Sequence, residues 1–204
     1  MKIINNKREA IKELKRISTR TNSEKNNKIS VIVEKILDEV KTYGDIAVEK
    51  YTRKFDGFNP KPMQVSSNDL KNAWDAIDND LKHSLELAYK RIKKFHEKEI
   101  PLSFSIKGEH GDTVQRRWRP VKNAGIYIPG GRAAYPSTVL MNAIPAKVAG
   151  VEEIIMVSPG NKEGIINKTV LAAAHLSGIN KVFRIGGAQA IGALAFGTNQ
   201  INKV

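Results

Sequence analysis

A chain of 204 residues with 41% hydrophobic and 27% charged side chains has the composition of a globular protein. It is long enough to bury a core without covalent staples and holds no apolar run of membrane-spanning length. The absence of cysteine excludes disulfides, thiolate nucleophiles and thiolate metal sites together.

The formal charge of +13 raises the question of nucleic acid, but residues 1–119 mix 26 Lys+Arg with 18 Asp+Glu. Aromatic residues do not interleave with the basic clusters around Arg91 and Arg117 as base-stacking platforms would. A solvated basic surface is the plainer reading, and neither a nucleic-acid nor a membrane partner is expected. The first twenty residues are polar, without the apolar core or small-residue cleavage site of a leader, so the expected location is the cytoplasm.

In chain order, Ile29, Ile32, Val33, Ile36, Leu37 and Val40 fall on one helical face, with Gly44 as the stop. A second helix begins near Ala47, turns Val48 and Tyr51 inward, and gives way to the turn-rich run from Phe55 through Asp56, Gly57, Phe58 and Asn59 to Pro60. Asp69 is the expected cap of a third helix carrying Leu70, Ala73, Trp74 and Ile77. A long helix over 81–99 places Leu85, Ala88, Ile92 and Phe95 on its core side. Over 103–119, Ile106, Val114 and Trp118 are separated by Gly108 and Gly111, which reads as a hairpin or arm.

After Pro120 the composition changes to Gly, Ala, Ile and Val. Strands are expected over 124–128, 153–157 and 181–185, and helices over 137–149, 165–177 and 189–196, the first bent by Pro145. The chain is therefore read as α/β. A mainly helical N-terminal lobe, 1–119, precedes an incomplete Rossmann-like parallel sheet in βαβαβα order over 120–204, truncated at its C-terminal end.

Ligands of open parallel sheets gather beyond the carboxyl ends of the strands. Gly130-Gly131 and Gly186-Gly187 lie there; neither completes a GxGxxG pattern, and each serves as readily as a plain corner as a ligand loop. Tyr127 either lies against a planar ring with its hydroxyl on offer or packs in the core. Gln189 either hydrogen-bonds a ligand through its amide or caps backbone. Arg132 meets a phosphate or carboxylate, or is merely solvated. His175 reads as a helix-surface or core histidine and not as a catalyst. His83, His96, His110 and His175 are far apart and in no HxH or HExxH spacing, so no complete zinc site is expected.

The run from Gly125 to Arg132, GIYIPGGR, and the run from Tyr135 to Val151 closely resemble the histidinol dehydrogenase family, as does the run from Arg184 to Gly197, RIGGAQAIGALAFG. Gly44-Asp45, Tyr51-Thr52, Phe55-Asp56 and Phe95-His96 are similar to that family's first lobe. The resemblance implies NAD-dependent oxidation of L-histidinol to L-histidine in two steps through an aldehyde, by intertwined homodimers with one zinc per site. It makes Tyr127 and Gln189 cofactor contacts. The family's third cofactor contact, an asparagine in a GPGN segment, its substrate serine, its zinc ligands and its catalytic Glu-His pair fall beyond residue 204. No catalytic or metal-ligating residue is therefore expected here, the chain alone is expected not to turn over histidinol, and its first lobe is expected to leave an apolar face uncovered. The competing reading is a non-catalytic module binding NAD or another nucleotide.

Overall fold

The structure, a computed structural model, describes residues 3–18, 24–131 and 134–204. Helix α1 (Lys7–Ser18) buries no residue. In α2 (Glu24–Tyr43) only the latter part of the expected stripe is covered: Ile36 and Val40 are buried, Val33 and Leu37 half-buried, and Ile29 and Ile32 exposed. Helix α3 (Asp45–Phe55) buries Ala47, Val48, Tyr51 and Thr52, and α2 and α3 pack on each other.

The cap expected at Asp69 is corrected to Ser66. Helix α4 runs Ser67–Asp75; the Ser66 Oγ accepts from the Asp69 amide at 3.1 Å and donates to Asp69 Oδ2 at 2.8 Å. This reciprocal arrangement satisfies an orphan amide and uses Asp69 as its third-position partner, so the helix starts one turn earlier. Helix α5 (Asn79–His96) likewise starts before its apolar periodicity, where Asp78 accepts from the Leu81 amide at 2.8 Å. Phe95 is a second correction. It is 63% exposed because the final turn of α5 has run past the core, which takes Leu81, Leu85, Ala88, Tyr89 and Ile92 but not Phe95.

Strands β1 (Phe104–Lys107) and β2 (Thr113–Arg116) form the expected hairpin, antiparallel from Phe104↔Arg116 to Lys107↔Thr113, with every residue exposed. Strands β3 (Asn123–Tyr127), β4 (Glu153–Val157) and β5 (Lys181–Phe183) then form a parallel sheet in that order. The crossovers are α6 (Pro136–Ala149) and α7 (Lys168–Leu176), and α8 (Gly187–Phe196) follows β5. Helix α6 continues through Pro145 to Ala149. Helix α7 starts three residues later than the apolar pattern suggests, because Asn167 accepts from the Thr169 amide at 2.9 Å.

Successive strand side chains point to opposite faces, and here both faces are covered, so the strands read as continuous apolar runs. Ile126, Ile154, Met156 and Val182 pack with α4, α5, α6 and α7; Ile155, Val157 and Phe183 pack with α2, α3 and α8. One pairing had no sequence signal. The Val65 amide donates to the Val182 carbonyl at 2.8 Å and the Arg184 amide to the Met63 carbonyl at 2.9 Å, laying residues 63–65 antiparallel beside β5. Among the described residues no helix is long and apolar enough to cross a membrane.

Candidate functional site

The site is built where β3 and β5 end and α8 begins. Tyr127 is the last residue of β3, and alternation sends its side chain to the face that α8 covers. Its ring reaches across the sheet so that the hydroxyl accepts from the Gly187 amide at 3.2 Å. The corner at Gly186-Gly187 turns the chain from β5 into α8, and Gly187 adopts φ +63°, a conformation glycine holds without a Cβ penalty. A Cβ there would also stand 2.7 Å from Gln189 Oε1, so glycine leaves room for that amide.

Gln189, in the first turn of α8, is 1% exposed, yet neither its Oε1 nor its Nε2 has a hydrogen-bond partner. A buried amide left unpaired at both ends costs about 1–3 kcal/mol per group, and such a group in a folded chain calls for an explanation. Gly186, the N-cap of α8, offers no side-chain cap, and of the first helical amides that of Gly187 is taken by the Tyr127 hydroxyl. The structure thus brings together Tyr127, the start of α8 and Gln189. Together they offer a hydroxyl, helix-terminal amides and one unpaired carboxamide, a set suited to the polar edge and phosphates of a nucleotide.

The other glycine corner is separated from this one by Pro159. A Cβ on Gly130 would meet Pro159 Cγ at 2.5 Å and one on Gly186 would meet Pro159 Cβ at 2.6 Å, so the three loops close tightly over the strand ends. A cleft of about 450 Å³ lies on the far side, lined by Gly130, Gly131, Pro159, Asn161, Asn167 and Lys168 among others; Tyr127 and Gln189 do not line it. Arg132 lies outside the described residues. His175 is half-buried in the last turn of α7, its ring tilted 32° against Trp74 at 6.3 Å, which is a packing contact at the opposite end of the sheet. His96 is bonded to Glu99 at 2.5 Å. Among the described residues no three His, Asp or Glu side chains come together in a group that could hold a metal.

Two further polar groups escaped sequence reasoning. Asp56, which caps the C-terminus of α3, has a buried Oδ2 without a partner, and burial holds its carboxyl above the ordinary carboxylate range. Arg184, at the carboxyl end of β5, has a buried Nε without a partner. Asp56 was legible as part of a turn and of the Phe55-Asp56 pair in the family resemblance, with no role attached. Arg184 carried a weak signal, a charge ending an otherwise apolar strand.

The family model for histidinol dehydrogenase matches residues 19–204. The curated histidinol dehydrogenase of Prochlorococcus marinus strain MIT 9312 is 87% identical over the whole chain, and that of Clostridium acetobutylicum is 45% identical over 88% of it. The crystal structure of histidinol dehydrogenase from Elizabethkingia anophelis superposes with a TM-score of 0.82 at 38% identity, covering 86% of this chain and 41% of that one. The chain spans about half the length of the curated relatives it matches, 46% of the first and 42% of the second.

Proposed function

The chain belongs to the histidinol dehydrogenase family of oxidoreductases, and we propose that it supplies part of the nicotinamide-cofactor site of an enzyme that oxidises L-histidinol to L-histidine in two NAD-dependent steps. The observation that carries this reading is the buried, unpaired carboxamide of Gln189 beside the Tyr127 hydroxyl at the uncapped start of α8. An amide in that state is destabilising unless a ligand presents a donor and an acceptor to it, and a nucleotide does both. NAD, when bound, would accept the hydride released at each oxidation. The residues of this chain bind and orient. Tyr127 holds the Gly187 corner in place through its hydroxyl oxygen and retains a proton to donate, while the helix-terminal amides favour negative charge.

This chain is assigned cofactor binding, and no step is routed through zinc. Homodimerisation and a cytoplasmic location complete the reading, both carried by the family.

Calorimetric titration of the chain with NAD, alongside Tyr127→Ala and Gln189→Ala, tests it. Saturable binding weakened about fivefold or more by each substitution is expected, since each removes a hydrogen-bonding group worth about 1 kcal/mol or more. A folded chain that binds no NAD, or whose affinity neither substitution changes, refutes it.

A further inference from the structure

Parallel nucleotide-binding sheets commonly place an acid at the end of the second strand, where its two oxygens accept from the two ribose hydroxyls. Here β4 is followed by Ser158, Pro159, Gly160 and Asn161, none of them acidic. Asn161 is also engaged, its Oδ1 accepting from the amides of Glu163 at 3.1 Å and Ile165 at 2.8 Å. The four residues that follow β4 therefore supply no acidic acceptor for a ribose, and the next acid of the loop, Glu163, is exposed.

Three contacts bring another acid to the same end of the sheet. Helix α3 packs on α8 with its start beside the latter's end, since a Cβ on Gly44 would stand 3.9 Å from Thr198 Cβ; its other end, Asp56, therefore points toward the α8 start. Two residues on, the buried Phe58 ring fills the space beside Gly164 of the β4–α7 loop, where a Cβ would come within 2.7 Å of Phe58 Cδ2. Five residues further still, the Met63 carbonyl receives the Arg184 amide at 2.9 Å.

We propose that Asp56, brought to the strand ends by the seating of Phe58 on the β4–α7 loop, is the ribose-binding acid of the cofactor crevice and sets its preference for NAD over a 2′-phosphorylated dinucleotide. The inference rests on the cofactor reading given above. Independent support comes from groups around Asp56 that are buried and unpaired. Asp56 Oδ2 has no partner; neither has Thr52 Oγ1, one helical turn earlier on the same stripe of α3, where Thr52 is fully buried. Gln189 at the start of α8 and Arg184 Nε at the end of β5 are likewise buried and unpaired, as are Asp45 and Ser177 elsewhere in the fold. A carboxylate desolvated at the negative end of a helix destabilises the chain when charged, and its folded pKa is accordingly raised. Two hydroxyl donors would relieve that cost. A 2′-phosphate in their place would add like-charge repulsion.

The test measures the affinities of NAD and NADP for the chain and for Asp56→Asn and Asp56→Ala by calorimetry, with melting temperatures as a check on folding. Both variants are expected to melt no lower than the parent chain at pH 7. NAD binding should weaken about tenfold in each while NADP binding is unchanged or strengthened, so that the preference narrows by at least that factor. If NAD affinity in both variants stays within about twofold of the parent while Tyr127→Ala and Gln189→Ala still weaken it, the assignment of Asp56 fails and the cofactor reading stands. Equal weakening of NAD and NADP also overturns the assignment, because it shows a structural effect without discrimination. If the folded parent chain binds neither dinucleotide, both readings fall together.

Discussion

Gln189 sets local stability against binding. Its carboxamide is buried with neither end paired, so the unliganded chain bears the desolvation cost of a group that only a ligand repays. Replacing it by leucine, of similar volume and without polar atoms, is expected to stabilise the unliganded chain by about 1–3 kcal/mol while abolishing NAD binding. Chemical denaturation paired with titration checks this; a Gln189→Leu chain that is less stable than the parent would show that the amide has a protein partner after all. Spacing and chemistry alone left Gln189 as a ligand contact or a backbone cap, and only the family resemblance favoured the contact. The choice depends on whether a partner lies within about 3 Å, and those neighbours come from parts of the chain remote in sequence. Tyr127 shows the same limit, since its hydroxyl meets the amide of a residue sixty positions away.

At the scale of elements, the sheet is tied at its lower end by Glu153, the first residue of β4. Its carboxylate pairs with Lys181 of β5 and accepts from Asn202 Nδ2 at 2.9 and 3.3 Å. Those partners hold its pKa below the ordinary value, the Lys181 hydrogen bond first and the Asn202 bond next. A depressed folded pKa means stability that is present above the unfolded value and lost as pH falls through the folded one. Glu153→Gln is therefore expected to destabilise by about 1 kcal/mol or less at pH 7, with the difference vanishing in acid once the carboxyl is protonated in the folded chain. Denaturation midpoints at several pH values check this, and a difference that persists unchanged in acid would assign the effect to packing. The elements themselves were largely legible. Alternating apolar runs and helical stripes gave β3, β4, β5 and the helices between them, because those patterns record which faces must leave water. Their starts were less so: α4 and α5 begin where Ser66 and Asp78 cap them, ahead of the first apolar position. Residues 63–65 carried no strand pattern at all, since their pairing with β5 is made by backbone groups that every sequence possesses.

At the scale of the whole molecule, the β1–β2 hairpin is exposed throughout, with Phe104, Ile106 and Val114 in water alongside Leu102 and Trp118. A contiguous apolar surface of this kind favours association. Sedimentation of the chain is expected to show concentration-dependent oligomers, reduced by Ile106→Lys combined with Val114→Glu, an opposite-charge pair across the strands that preserves the hairpin. Surface changes of this sort alter stability by about 0.5 kcal/mol or less, so unchanged melting separates lost association from lost folding. A monomeric parent chain at all concentrations would count against the prediction. The sequence by itself determined the βαβαβα order, the absence of cysteine chemistry and, through the GIYIPGGR and GGAQA runs, the resemblance that the family match later showed. These are properties of contiguous residues, written in local periodicity and motif. Only the tertiary structure decided that α2 and α3 cover one face of the sheet, and that Gln189 and Asp56 Oδ2 are buried without a partner. Burial and hydrogen-bond satisfaction are relations between residues far apart in the chain, and they exist only once folding has made them neighbours.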